Sequence, residues 1–196
     1  MSQLAVVHAD ESCLGNGREG MNPGGAGMLI EIGIKDRLER FDLSLASPDT
    51  TNNRMALSGA IATFALLSRK ERRLSVGYVS DSEYLVKGMR EWVPGWRARG
   101  WMRKGGEIEN LELWQALVKV AEAHDVRWLW VRGHAGDPKN EYADWLAVRA
   151  AREQITSEGA VPSEFLAWLE DRRARGRFTD YDPDAAFAAV AAEAAR

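Results

Sequence analysis

Two short apolar runs in this chain each end on an aspartate. Ala5 to Asp10 reads AVVHAD, and Leu74 to Asp81 reads LSVGYVSD. Apolar runs of this length, bounded by turn formers, predict buried strands. A carboxylate at the end of two such strands puts acidic groups at one edge of a sheet, where open α/β folds carry their ligand sites. Between the two runs, GMLIEIGIK alternates, with Met28, Ile30, Ile32 and Ile34 on one face. Leu38 to Leu45 alternates again, with Phe41, Leu43 and Leu45 set against Asp42 and Ser44. Short links between these segments predict an antiparallel meander of two or three strands.

Helical spacing then takes over. Asn52 or Asn53 caps a helix in which Leu57, Ile61 and Phe64 recur. Further helices are expected from Ser82 and from about Asn110 to His124. A fifth strand follows at Val126 to Val131, and the loop RGHAGDPKNEY leads into another helix. The order βββαβαβα predicts an α/β fold, a mixed sheet with helices on its faces. After about Gln154 the character changes. PSEFLAWLEDRRARG is an amphipathic helix with Phe165, Trp168 and Leu169 on one side. DPDAAFAAVAAEAAR opens with Asp182 as a cap and Pro183 at the first helical position. Residues 1–154 are read as one domain and 155–196 as a helical extension. The extension packs on that domain or on a partner, or is in part disordered.

Composition narrows the function classes. Lys and Arg number 26 against 29 Asp and Glu, a net charge of −3, which does not mark a general polyanion binder. Yet between positions 87 and 104, Lys87, Arg90, Arg97, Arg99, Arg103 and Lys104 face Glu91 alone. Such clustering steers a polyanion despite the global sign. No run of about 18 apolar residues is present, so no membrane contact is expected. The N-terminus does not resemble a secretory signal. The single cysteine, Cys13, excludes an intrachain disulfide, and a cytoplasmic location is expected.

Asp144, in the helix after the GHAG loop, is a third acid of interest. Taken singly, each aspartate is an ordinary cap or turn residue. If Asp10, Asp81 and Asp144 converge, their repulsion demands a counter-charge. Hard oxygen ligands suit Mg2+ or Mn2+ rather than zinc.

The segments DESCLGN, TTNNRM, SDSEYLVKG and VRGHAGDPKNEYAD resemble, in that order, the four motif blocks of type 1 ribonuclease H. The resemblance runs from about residue 4 to 152. It implies the ribonuclease H fold, a five-stranded mixed sheet with three antiparallel and two parallel strands. It implies a metal-dependent endonuclease that cuts the RNA strand of an RNA/DNA hybrid and leaves a 5′-phosphate and a 3′-hydroxyl. Two Mg2+ ions about 4 Å apart, or Mn2+ in their place, are the implied cofactors. Asp10 would bridge the ions, Asp81 and Asp144 would each hold one, and His134 would assist proton transfer or product release. Asn16, Thr51 and Asn52 match positions that cradle a DNA phosphate, and Asn53 and Asn110 match residues that touch the hybrid. Trp92 and Trp96, with the basic residues around them, match a handle that grips the DNA strand. The same tryptophans, with Trp101, also suit the core of a helical lobe, and Trp128 and Trp130 are read as packing residues. The implied partner is the hybrid, and the expected form is a monomer.

Three departures stand out. Ala56 replaces the motif glutamate, the loop after Asp10 is longer than usual, and Glu83 stands where the family often has glutamine. Ala56 is either a deliberate inactivating change or a natural one compensated elsewhere. Glu11 is next to Asp10, so strand alternation turns it away from Asp10. Glu19, on a glycine-rich loop, has more reach and is the candidate replacement ligand, although a solvated loop charge is the plainer reading. The alternative function is a module that binds hybrids without cutting them.

Overall fold

The computed structural model describes residues 3–15, 21–34, 37–70, 72–133 and 135–195. Three long strands, β1 (Gln3–Cys13), β2 (Gly24–Ile34) and β3 (Arg37–Ser47), form the antiparallel meander. β4 (Leu74–Ser80) and β5 (Asp125–Trp130) lie parallel beside β1. The sheet order is β5-β4-β1-β2-β3-β6, so the sheet has six strands where five were expected. The extra strand, β6 (Val161–Pro162), pairs with Phe41 and Asp42 of β3. A strand of two residues leaves no periodicity to read. Pro162 has no N–H to donate and suits this edge position.

Both faces of the sheet are covered. On one side lies α1 (Asn52–Leu67), with α4 (Leu111–Ala121) behind it. On the other lie α5 (Pro138–Glu153), α6 (Phe165–Ala174) and α7 (Pro183–Ala194). Double cover explains why β1 reads as a continuous apolar run. Ala5, Val7 and Ala9 join the core beneath α1, whereas Val6 packs with Val79 and Ala191 on the α5 side.

Two glycines of β2 set the height of α5. A Cβ on Gly25 would lie 2.3 Å from the Ala147 carbonyl oxygen, and one on Gly27 would lie 2.4 Å from that of Ala143. The backbone of α5 therefore rests directly on the strand, a distance only glycine permits. That contact fixes how far Asp144 stands above the sheet.

The helix expected from Ser82 is broken into three pieces. α2 (Glu83–Lys87) passes through a wider π-type turn, Gly88–Trp92, into α3 (Val93–Ala98). Pro94 cannot donate a backbone hydrogen bond into the preceding turn, which favours the irregular geometry there. At Gly88 the Trp114 ring takes the place of a side chain, 2.1 Å from where a Cβ would be. Among the described residues, no helix is long and apolar enough to cross a membrane.

Candidate active site

β1 and β4 run parallel, with Ala9 opposite Ser80. The next residue of each chain, Asp10 and Asp81, therefore emerges at the same end of the sheet. α5, seated on Gly25 and Gly27, brings Asp144 close enough for its charge to act on Asp10. Asp10 is buried, and its carboxylate accepts from the Glu11 backbone N–H at 2.7 Å and from Asn140 Nδ2 at 3.2 Å. Burial pushes the Asp10 carboxyl up to about 9, and the charges of Asp81, Glu11 and Asp144 add to the rise. Asp81 is held closely as well. Its carbonyl accepts from Trp130 Nε1 at 3.1 Å, and its Oδ2 lies 2.3 Å from where a Cβ on Gly133 would sit.

Among the described residues, Glu11 joins Asp10 and Asp81 in this cluster. One carboxylate oxygen each from Asp10, Glu11 and Asp81 lie within 4.8 Å of one another. The Glu11 carboxyl is pushed up to about 8 by burial and by Asp81, against a hydrogen bond from Ser82. Strand alternation does hold. Asp10 pairs with Gly27, which faces α5, and Glu11 pairs with Ala26, which faces α1. Glu11, the less favoured replacement on sequence grounds, reaches Asp10 and Asp81 because these acids meet at the strand ends, where side chains from both faces converge. Glu11, Ala56, Tyr78 and Ser80 line one recess on the α1 side. A carboxylate at position 56 would enter from that same side. The signal in the sequence was parity: an odd-numbered residue of β1 shares a face with α1, and an even-numbered one does not.

The remaining expected residues fall into three groups. Asn16, Glu19 and His134 lie outside the described residues. Thr51, Asn52, Asn53 and Asn110 gather near the N-terminus of α1. Thr51 caps the helix, its side chain accepting from the Arg54 N–H, and Arg54 Nη1 donates to Asn110 Oδ1 at 3.2 Å. Asn110 adopts a left-handed backbone, φ 56°, and turns its Nδ2 to the Tyr84 hydroxyl. The Asn52 Oδ1 is buried with no partner among the described residues. Trp92 and Trp96 pack with Tyr84 and Trp114 in an aromatic cluster. Trp96 is buried, so its ring is first a core residue. Its edge and that of Trp92 nevertheless line a groove with Arg99 and Arg103.

All ligand atoms in the acidic cluster are carboxylate oxygens, and the raised pKa values of Asp10 and Glu11 mark a site short of positive charge. Such a donor set fits a hard divalent cation. Similarity to known proteins agrees with this chemistry. The family model for RNase H matches residues 2–152. Ribonuclease HI of Pseudomonas aeruginosa is 43% identical over 153 residues, 77% of this chain and 95% of the relative. Ribonuclease H of Syntrophotalea carbinolica is 41% identical over 155 residues, 79% of this chain and 95% of the relative. Among solved structures, LC9-RNase H1 is described as a type 1 RNase H with the type 2 active-site motif. It superposes with a TM-score of 0.80 at 50% identity, covering 86% of this chain and 81% of its own. With the mixed sheet, the acids at its strand ends and these relatives in agreement, the chain belongs to the RNase H family, as an enzyme of type 1.

Proposed function

We propose that this chain hydrolyses the RNA strand of RNA/DNA hybrids at a divalent-metal site built from Asp10, Glu11, Asp81 and Asp144. In this site Glu11 supplies the carboxylate that Ala56 lacks. The observation that carries the reading is the approach of Glu11 to Asp10 and Asp81 from the side that position 56 also faces. LC9-RNase H1, at 50% identity, combines a type 1 protein with a type 2 active-site motif, which favours a relocated ligand over a disabled site. LC11-RNase H1, which shares the fold at a TM-score of 0.55, was solved with an RNA/DNA hybrid.

Mg2+, or Mn2+ in its place, would be held by the four carboxylates, and two such ions supply an activated water and a stabilised leaving oxygen. The chain's own residues do the rest. Asn140 orients Asp10, and Ser82 donates to Glu11. Thr51, Asn52, Asn53 and Asn110 offer uncharged hydrogen-bonding groups beside Arg54 for the strand backbone. Arg99 and Arg103 extend that contact along the aromatic groove. Phosphate contacts of this kind position a duplex without reading its sequence. His134 is the residue proposed for proton transfer or product release.

The test is cleavage of a labelled RNA/DNA hybrid with Mg2+ or Mn2+ by the wild-type chain and by Asp10→Asn, Glu11→Gln and Glu19→Gln. Loss of one member of a cooperative catalytic set costs orders of magnitude in rate, so Asp10→Asn and Glu11→Gln should fall by about a hundredfold or more. Glu19→Gln should cut normally. Full activity in Glu11→Gln would refute the assignment of Glu11. A wild-type chain that binds the hybrid and never cuts it would instead favour the binding module.

A further inference from the structure

Lys139, the second residue of α5, is fully buried. A buried ammonium persists only with compensating partners. Its Nζ donates to Glu31 Oε2 at 2.6 Å and to the Pro183 carbonyl at 2.9 Å. Glu31, also fully buried, accepts through Oε1 from Arg40 Nε at 2.9 Å, and Arg40 pairs in turn with Asp184. Pro183 and Asp184 are the first two residues of α7. The end of the chain thus contributes a carbonyl and a carboxylate to a cluster that holds a side chain of α5.

α7 rests its apolar side on β1 and β4, where Ala191 packs with Val6 and Val79 and where Phe187 and Val190 join the same cluster. Phe187 meets Gly33, and Val190 and Ala194 meet Gly77. Ala191 is its one buried residue. Beside this apolar contact, the charged cluster ties the start of α7 to α5 and β3. Asp182 caps α7 there, accepting from the Asp184 and Ala185 N–H groups.

The residue after Lys139 is Asn140, buried, with its Nδ2 on Asp10 Oδ2. The Asp137 carboxylate ties the two together, accepting from the Lys139 N–H at 2.9 Å and the Asn140 N–H at 3.0 Å. The first turn of α5 is therefore gripped from the α7 side at Lys139 and itself grips Asp10 at Asn140. We propose that α7 is a positioning element of the active site. Acting through Lys139, it fixes the first turn of α5 and thereby the Asn140 amide that orients the Asp10 carboxylate. Lys139, Asn140 and Asp184 are positioning residues, not catalytic ones. The proposal rests on Asp10 being a metal ligand, and it gives the segment 155–196 a role in metal affinity.

The experiment uses the full chain and four variants: Asn140→Ala, Lys139→Met, the double variant of these two, and Asp184→Asn. Each is checked for folding by circular dichroism at the assay temperature. Mn2+ binding is measured by calorimetry without substrate, and kcat and KM are measured on the hybrid. Loss of a group that orients a metal ligand lowers metal affinity by about 10–100-fold, so Asn140→Ala should weaken Mn2+ binding to that extent and lower kcat. Its KM for the hybrid should stay within about twofold of wild type, because the amide faces Asp10 and not the substrate groove. Lys139→Met and Asp184→Asn should show smaller losses of the same kind. If Lys139 acts through Asn140, the double variant should be no worse than Asn140→Ala alone. Losses that multiply in the double variant would overturn the proposal. So would wild-type Mn2+ affinity in folded Lys139→Met and Asp184→Asn. Should Lys139→Met fail to fold, Asp184→Asn decides by itself. A wild-type chain that binds Mn2+ but does not cut would count against the nuclease reading alone, since the calorimetry stands apart from turnover.

Discussion

Glu11 and Ala56 line the same recess on the α1 side of the sheet. One residue is a long acid on a strand and the other a methyl group on a helix, so a carboxylate could reach this corner from either position. Ala56→Glu in the wild-type background should not raise activity. It adds volume to a filled recess, which costs about 1–3 kcal/mol, and cleavage should stay within about tenfold of wild type. In a Glu11→Ala background the same change should recover at least about tenfold of the lost single-turnover rate. No recovery in the double variant would show that the two positions do not share a role.

The acidic cluster gives the metal-free protein an unusual pH dependence. Asp10 is raised from 3.8 to about 9 and Glu11 from 4.5 to about 8, chiefly by burial. A carboxyl raised on folding favours the folded state where it is protonated. The stability from these two groups is therefore complete below about pH 4 and is lost as pH rises through 8 to 9. A cation that binds only the folded chain reverses this. The rise in Tm on adding Mg2+ should be larger at pH 8 than at pH 5, as differential scanning fluorimetry can show. Equal rises at both pH values would refute the crowding of these acids.

His8 is buried on the α5 side of β1, and neither ring nitrogen has a partner among the described residues. Burial lowers its pKa from 6.5 to about 4. A depressed histidine supports the fold above pH 6.5 and withdraws that support as pH falls toward 4. His8→Phe fills similar space without buried unpaired nitrogens, each of which costs about 1–3 kcal/mol. The variant should melt higher than wild type, with the gap widening from pH 8 to pH 5. A gap that narrows at low pH would count against a neutral, unpaired imidazole.

Gly27→Ala tests the seating of α5. The added methyl would meet the Ala143 carbonyl oxygen at 2.4 Å and the Ala147 nitrogen at 2.5 Å, both backbone atoms that cannot rotate away. The helix must lift, and Asp144 with it. A stability loss of about 3 kcal/mol, the upper end for overpacking, is expected in urea denaturation, together with weaker Mn2+ binding. A fully stable Gly27→Ala variant would mean that this close contact is not what sets the height of α5.

Much of this architecture could be read from the residues, and what could not has physical causes. The period-two pattern through Met28 and Ile30 gave the meander because those side chains lie under α1. β6 was hidden because its two residues are specified by their partners, Phe41 and Asp42, and not by their own pattern. The break after Lys87 depends on Trp114, distant in sequence, filling the space at Gly88. At the site, Asp10 and Asp81 were found because each ends an apolar run. Alternation along β1 turns Glu11 to the face opposite Asp10, and the structure keeps that alternation. Asp81, however, lies past the end of β4, within reach of both faces. The link from α7 to Asn140 could not be read at all, since Lys139 and Glu31 are 108 positions apart and each alone looks like a surface charge.

The corner shared by positions 11 and 56 also bears on how such a site changes over generations. An acid can be gained on the strand before its counterpart is lost from the helix. A lineage taking that order passes through a redundant stage that still cuts, and each later mutation is then tolerated. The reverse order would cross a crippled intermediate. Strand and helix can in this way hand over a ligand while the fold and the other three acids stay as they were.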